Sequence, residues 1–290
     1  MKRVCILYNI QAGHGTIARK IDDICAIFKE GGYEPQPQLL KFGENPFDKH
    51  SEQPEMVVVC GGDGTINYVI NSMFARGLDL PLGIIPAGTA NDFAGAVGMK
   101  ANPLKAARQI VEGHIERLDC GRVNDLYFIN VFSFGMFTTT SQHTPDAIKH
   151  RFGKLAYIVE GAKEFFQRKP IPLHVRHSDG EEFSIDSITT LIFNGETAGR
   201  FRLARRASVR DGIFDCVIMR QCNIFAMLWA MLLYLINGRP NFAIQHIRSS
   251  HIEMRSTSSP TTDMDGQRSA DFPLTIDCIA GGVAVVCPND

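Results

Sequence analysis

Two short runs carry the clearest chemistry in the chain. Gly61-Gly62-Asp63-Gly64-Thr65 stands between a β-branched run (residues 56–60) and a helical pattern, with Asn67 just beyond. Three glycines in four positions let the backbone turn sharply and bring N–H groups against a phosphate without interference from Cβ atoms. The helix that follows adds partial positive charge at its N-terminus. Asp63 is out of place in a pure anion cradle, because a carboxylate repels phosphate. It points to a metal ion or a fixed hydrogen-bond role. A plain tight turn does not demand an Asp-Gly-Thr core.

Pro86-Ala87-Gly88-Thr89-Ala90-Asn91-Asp92-Phe93-Ala94 repeats the logic one strand later. Gly88 turns the chain, Thr89 offers a hydroxyl, and Asn91 and Asp92 suit a helix start. Taken alone, either run can be read as a turn or an N-cap. At neighbouring strand ends, the pair favours one nucleotide pocket.

The elements that must position these turns alternate through the first half. Residues 3–8 read as a buried strand, and 16–30 as a helix with Ile17, Ile21, Ile24 and Phe28 on one face. Gly31-Gly32 stops that helix. Strands are expected at 37–42, 56–60 and 82–85, and helices at about 66–76, 91–97 and 102–112, the last with Pro103 in its first turn. Strand, glycine turn and helix in repetition imply an open α/β sheet, whose ligands bind at the carboxyl ends of the strands. From about residue 122 the texture changes. Strands are expected at 128–137, 173–177, 183–193, 213–219, 247–254 and 274–279, with a hairpin turn at 178–180 and one helix around 154–168. The expected architecture is an N-terminal open α/β nucleotide-binding domain (1–121) followed by a mainly-β, antiparallel sandwich-like domain (122–290). The last residues are expected to pack back on the first domain, and the cleft between the two is the default site.

Bulk properties agree with two globular domains in 290 residues. A net charge of −1 argues against a dedicated nucleic-acid binder. The eight cysteines form no C-x-x-C pair, and several sit in apolar runs, which suits buried thiols in a reducing compartment. The first residues read as a strand rather than a signal peptide. The longest apolar run, 224–236, would cover roughly 20 Å as a helix, short of a bilayer core of roughly 30 Å. A soluble cytoplasmic protein that touches a membrane surface is expected; oligomeric state stays open, a homodimer included.

In these motifs the chain resembles the bacterial diacylglycerol kinase-like lipid kinases, the catalytic family shared with sphingosine and ceramide kinases. Asn9-Ile10-Gln11-Ala12-Gly13 resembles that family's first nucleotide loop, residues 61–67 its GGDGTxN signature, and 86–94 its GTxNDFA segment. The likeness continues through Asp119, Asn130 with Gly135, Asn194-Gly195, residues 207–215, and Met264-Asp265-Gly266-Gln267. It implies that ATP is lined by Asn9, Ala12 and Gly13, by Gly61, Gly62, Asp63, Gly64, Thr65 and Asn67, and by Gly88, Thr89, Asn91 and Asp92. It implies that Asp63, Asp92 and Asp119 organise magnesium and its waters around the phosphates. A separate structural magnesium would take the Asp211 carboxylate and the carbonyls of Ser208 and Ile213. Asp265 would be the general base for a lipid hydroxyl. The family's usual Asp-Gly-Glu is here Asp265-Gly266-Gln267, and a glutamine cannot take that proton.

Two softer features bear on a lipid. Arg200, Arg202, Arg205, Arg206 and Arg210 crowd one loop and would attract anionic headgroups; a solvated loop is the plainer reading. The run 224–236, apolar on every face and containing Trp229, reads first as packed core, with an exposed edge allowed, and second as an interfacial helix. Other functions remain open. A kinase of NAD or a sugar would share a GGDGT-like loop. A lipid- or nucleotide-binding regulator is motivated by Gln267. A dinucleotide oxidoreductase is motivated by Gly13-His14-Gly15-Thr16-Ile17-Ala18 with Glu34.

Overall fold

The computed structural model describes residues 2–10, 12–48, 53–136, 170–199 and 201–289. The expected helix at 154–168, Phe137 and Arg200 lie outside these residues. The chain opens with strand β1 (Lys2–Tyr8), helix α1 (Thr16–Glu30), β2 (Tyr33–Leu39), β3 (Met56–Gly61), helix α2 (Asp63–Phe74), β4 (Leu82–Pro86) and the short α3 (Asp92–Ala96). Helix α4 (Pro103–Glu112) follows, its first turn capped by the Asn102 side chain, which accepts from the Leu104 and Lys105 N–H groups. The four strands pair in parallel in the order β2-β1-β3-β4. Val57, Val58 and Val59 are fully buried, as a strand covered on both faces requires. Strand β2 starts and ends several residues earlier than the sequence suggests, because Pro35 and Pro37 are tolerated on an edge.

The second half is antiparallel: β6 (Leu126–Phe128), β7 (Val131–Gly135), β8 (Ile171–His177), β9 (Glu182–Phe193), the short pair β10 (Thr197–Ala198) and β11 (Phe201–Arg202), β12 (Phe214–Arg220), helix α5 (Ile224–Asn237), β13 (Ile244–Ser249), β14 (His251–Ser256), β15 (Thr262–Met264) and β16 (Gln267–Arg268). The strand expected at 128–137 is interrupted at Ile129-Asn130, and that at 247–254 breaks at Ser250 into β13 and β14. Phe128, Phe132, Phe134 and Phe214 form the centre of this half, with the Phe128 and Phe214 rings stacked at 5.3 Å.

Two long strands join the halves. β5 (His114–Val123), which the sequence reading missed, runs antiparallel to β17 (Leu274–Cys287) along nearly its whole length. The first part of β17 pairs β14, and its last part lies beside β4, so the C-terminal strand closes the α/β sheet. The register shifts between Ile279 and Val283, at Ala280-Gly281-Gly282. Gly121 of β5 lies under the Phe128 ring, which an added Cβ would meet at 2.0 Å.

Helix α5 corrects the packed-core reading of 224–236. Met227, Ala230 and Tyr234 face inward, while Phe225 and Trp229 are 80% and 57% exposed. No described helix is long and apolar enough to cross a membrane.

Phe128→Ala should cost about 3–5 kcal/mol, read as a shift in the urea-unfolding midpoint, because it empties a fully buried ring site at the centre of the antiparallel half. A change under about 1 kcal/mol would mean the stacked aromatic centre does not carry this half's stability.

Candidate active site

The carboxyl ends of β1, β3 and β4 present three turns to one place. The turn after β3 and the turn after β4 touch directly: a Cβ built on Gly62 would lie 2.9 Å from the Gly88 Cα, and one on Gly88 only 2.5 Å from the Gly62 Cα. The glycines are there because the two backbones approach more closely than any side chain permits. Asn91 locks the second turn, accepting from the Gly88 N–H at 2.7 Å and donating to its carbonyl at 2.9 Å. Gly13 of the first loop, in the left-handed region, lies against Ala87. Asn9 ends beside this loop and Ala12 opens its short 3-10 turn. Gly88 and Thr89 are exposed.

Helix α2 begins at Asp63, earlier than expected, and no side chain caps its N-terminus. Its first N–H groups therefore lack side-chain partners at the edge of the touching turns, where an anion is favoured. Thr65 and Asn67 are buried in its first turns. Asp63 bridges to the next loop: its Oδ1 accepts from the Phe93 N–H at 3.1 Å and its Oδ2 from the Asp92 N–H at 3.2 Å. The carboxylate thus does for α3 what a capping residue would. It also receives the Asn130 amide at 3.1 Å.

Asn130 links this turn to the β half. Its backbone N–H donates to Asp265 Oδ1 at 2.9 Å, together with the Val131 N–H at 3.0 Å. Asp265 Oδ2 accepts from the Ile129 N–H at 2.8 Å and the Asn67 amide at 2.9 Å. Four N–H donors therefore converge on one carboxylate that is 7% exposed and held at a positive φ of 50°. Burial raises the Asp265 pKa to about 6, and the N–H groups pull the other way. Asn67 and Asn71 also both donate to the Tyr127 carbonyl at 2.8 Å, a further clasp between α2 and the β half.

Asp92 is buried and accepts from the Gly199 N–H at 2.6 Å. Beside it a cleft of about 550 Å³ opens between α3 and the loop after β11, lined among others by Asp92, Glu196, Arg202 and Ser208. Asp119, 3% exposed, takes its hydrogen bonds elsewhere. Its Oδ1 accepts from Gly281 N–H at 2.9 Å and its Oδ2 from Gly212 N–H at 2.7 Å, which pins the β17 irregularity to the Asp211 loop.

Residues 3–123 match the model of the diacylglycerol kinase catalytic domain, and residues 130–287 match the YegS C-terminal NAD kinase beta sandwich-like domain. The chain belongs to the diacylglycerol kinase-like family of lipid kinases. It is similar to the diacylglycerol kinase of Bacillus subtilis (strain 168), 27% identical over all of this chain and 98% of that one. It is likewise similar to that of Staphylococcus saprophyticus, 28% identical over all of this chain and 96% of the other. The crystal structure of a diacylglycerol kinase from Bacillus anthracis str. Sterne shares the fold with a TM-score of 0.78 and 21% identity, over 99% of this chain and 97% of that one.

Two departures from the lipid-kinase pattern have structural explanations. Gln267 stands where the family usually has Glu, and its Nε2 donates to the Gly64 carbonyl at 3.1 Å. A carboxylate could not make that bond, so Gln267 latches the β15–β16 turn onto the first turn of α2. In the Asp211 loop, the carboxylate is already engaged by Arg248, with Nη2 2.6 Å from Asp211 Oδ2 and Nε 3.5 Å from the buried Asp215. Ser208 accepts the Arg210 N–H there through its hydroxyl, and the Ile213 N–H lies 3.4 Å from Asp211 Oδ1. Arg248 therefore takes one oxygen of the only acidic residue in the expected magnesium set, while the other, Oδ1, meets among the described residues only the Ile213 N–H at 3.4 Å. Among the described residues, no group of three or more His, Cys, Asp or Glu side chains is arranged to hold a metal. Sequence reasoning missed Asn130 as a site residue and missed Arg248 altogether; the sequence offers no spacing that ties either to its partner.

Gly88→Ala should weaken ATP binding at least about tenfold by calorimetry, because its Cβ forces the touching turns apart. Wild-type affinity in a folded Gly88→Ala protein would show that the nucleotide does not use this contact.

Proposed function

We propose that the chain transfers the γ-phosphate of ATP to the hydroxyl of a diacylglycerol-like lipid. The observation that carries this reading is the meeting of the Gly62 and Gly88 turns beside Asp63, at the strand ends where an α/β sheet binds nucleotides. The full-length relatives named diacylglycerol kinase support the acceptor class. ATP lies along residues 1–121, on Asn9, Ala12 and Gly13, on Gly61, Gly62, Gly64, Thr65 and Asn67, and on Gly88, Thr89 and Asn91. The lipid comes in from 122–290, through the cleft beside Asp92. The protein works in the cytoplasm and meets its acceptor at a membrane surface.

In the reaction the lipid oxygen bonds to the γ-phosphorus, the bridge to the β-phosphate breaks, and ADP leaves. Catalysis of such transfers is chiefly positioning and charge neutralisation. The α2 N-terminus supplies fixed positive charge. Asp265 takes the hydroxyl proton. Its raised pKa keeps it ionised at neutral pH yet a better base than a solvated carboxylate. Of its four donors only the Asn67 amide is a side chain, and this amide must swing aside to admit the hydroxyl. Magnesium bound with the nucleotide would screen the phosphates; Asp63, whose Oδ2 accepts from the Asp92 N–H, would hold it, with Asp92 next to it. Asp119 acts on this site by fixing the loops, and no step is assigned to Asp211.

A second reading, a nucleotide- or lipid-binding regulator, rests on Gln267. On the kinase reading, Gln267→Glu changes kcat less than about tenfold, since Asp265 already supplies the base. A gain of about 10²-fold or more would mark the natural chain as a weakened enzyme.

Asp63→Ala should lower kcat with diacylglycerol by about 10²-fold or more while leaving the circular-dichroism spectrum unchanged. Full activity in that variant would discredit the site. Asp265→Asn should lower kcat by ~10²–10⁴-fold with ATP affinity kept. Because the proton-accepting form of Asp265 is lost as pH falls through about 6, kcat/KM should drop about tenfold per pH unit below that value. A flat profile down to pH 5 would remove Asp265 from the role of base.

A further inference from the structure

We propose that the outer stripe of α5 is a membrane-docking surface that lies in the plane of an anionic lipid bilayer, next to the mouth of the acceptor cleft. The inference deepens the lipid-kinase reading and rests on it for the direction of lipid entry. The docking itself stands on geometry.

Every residue of α5 from Ile224 to Ile236 is apolar or aromatic, so the fold alone decides which ones face out. Phe225, Leu228, Trp229, Leu232, Leu235 and Ile236 are all exposed, at spacings of three, four, seven, ten and eleven residues from the first. Those spacings trace one stripe of a helix. Met227, Ala230 and Tyr234 hold the opposite face against the Ile244 and Val217 strands. A contiguous exposed apolar stripe is rare on soluble proteins and marks a contact surface. At 14 residues the helix is about 21 Å long, too short to span a bilayer, and it suits an in-plane position at the level of the headgroups.

Charge selects the occupant. No Asp or Glu occurs between Asp215 and Glu253, a stretch that includes the helix and Arg220, Arg239 and Arg248. Arg239 follows the C-terminal end of the helix and is exposed. The exposed Arg205 reaches that same end, where its Nη1 donates to the Ile236 carbonyl at 3.3 Å, and the exposed Arg206 lies near Tyr234. Among the described residues, Arg205, Arg206 and Arg239 meet no carboxylate. An apolar stripe bordered by arginines and free of acidic groups complements an anionic bilayer surface, where each nearby basic residue favours binding. The loop that carries Arg205 and Arg206 also carries Arg202, Ala207 and Ser208, which line the cleft beside Asp92. The docking stripe and the acceptor cleft are thus joined by one short stretch of chain. A lipid lifted from the bilayer has a short route to the phosphate site.

Trp229 is the only tryptophan in the chain and stands on the stripe, so its emission reports the contact directly. Vesicles of phosphatidylcholine mixed with phosphatidylglycerol should shift its emission to the blue, and bromine-labelled lipids should quench it. Phe225→Ser combined with Leu232→Ser should lower vesicle binding in flotation at least about tenfold. The same variant should keep the wild-type circular-dichroism spectrum and the wild-type turnover of a short-chain diacylglycerol dispersed in solution. Arg205→Gln and Arg239→Gln should each weaken binding to the anionic vesicles roughly fivefold. Trp229 emission that ignores vesicles overturns the proposal. So does emission already blue and closed to iodide in the free protein, which means another part of the chain covers the stripe. A blue shift that follows protein concentration, with a doubled mass, assigns the stripe to a second copy instead. Docking without turnover of the dispersed lipid would sink the kinase reading and leave the docking intact; turnover without docking would do the reverse.

Discussion

The alignment of the site depends on two carboxylates whose charge is neutralised by N–H groups from distant parts of the chain. Asp63 holds the start of α3 and the Asn130 amide; Asp265 holds three successive backbone N–H groups and the Asn67 amide. Asn130 belongs to both sets, so the two acids form one unit. Asp265 is buried and Asp63 half-buried, and a carboxylate withdrawn from water is costly unless it is hydrogen-bonded. Satisfying the pair therefore requires that α2, the α3 turn, the β6–β7 junction and the β15–β16 turn occupy fixed relative positions. The proposed phosphate site and the proposed acceptor side are aligned by the same bonds.

The aromatic centre and the β5–β17 ribbon make that alignment stiff. Both long strands run through the two halves, and each contributes to both cores. Where the ribbon loses its register, Asp119 takes up the backbone N–H groups of Gly281 and Gly212. At the Asp211 loop the exposed Arg248 pairs with Asp211 and reaches the buried Asp215.

What could be read in the sequence was local. The glycine turns and α1 were legible because their signals lie in consecutive residues or at one helical period. The start of α2 lies about three residues before the expected one, since glycines lower helix propensity and no side chain caps the N-terminus. Asn130 carries no signal of its own in the sequence, because its partner Asp63 is 67 residues away and nothing in the spacing joins them. Strand β5 was missed because Asp119-Cys120-Gly121 breaks its apolar pattern, and the need for Gly121 appears only once Phe128 is seen above it. The exposed face of α5 was hidden for the opposite reason: a uniformly apolar helix has no pattern that says which side faces out. Gln267 looked like a loss of chemistry in the sequence and proves to be a hydrogen-bond donor to the opposite lobe.

A crystal structure of the protein with magnesium and a non-hydrolysable ATP analogue tests the central claim most directly. The account predicts the triphosphate at the N-terminus of α2, against the touching Gly62 and Gly88 backbones, with its terminal phosphate turned toward Asp63 and Asp265. A nucleotide bound away from those turns, or turns left empty at saturating analogue, would contradict it.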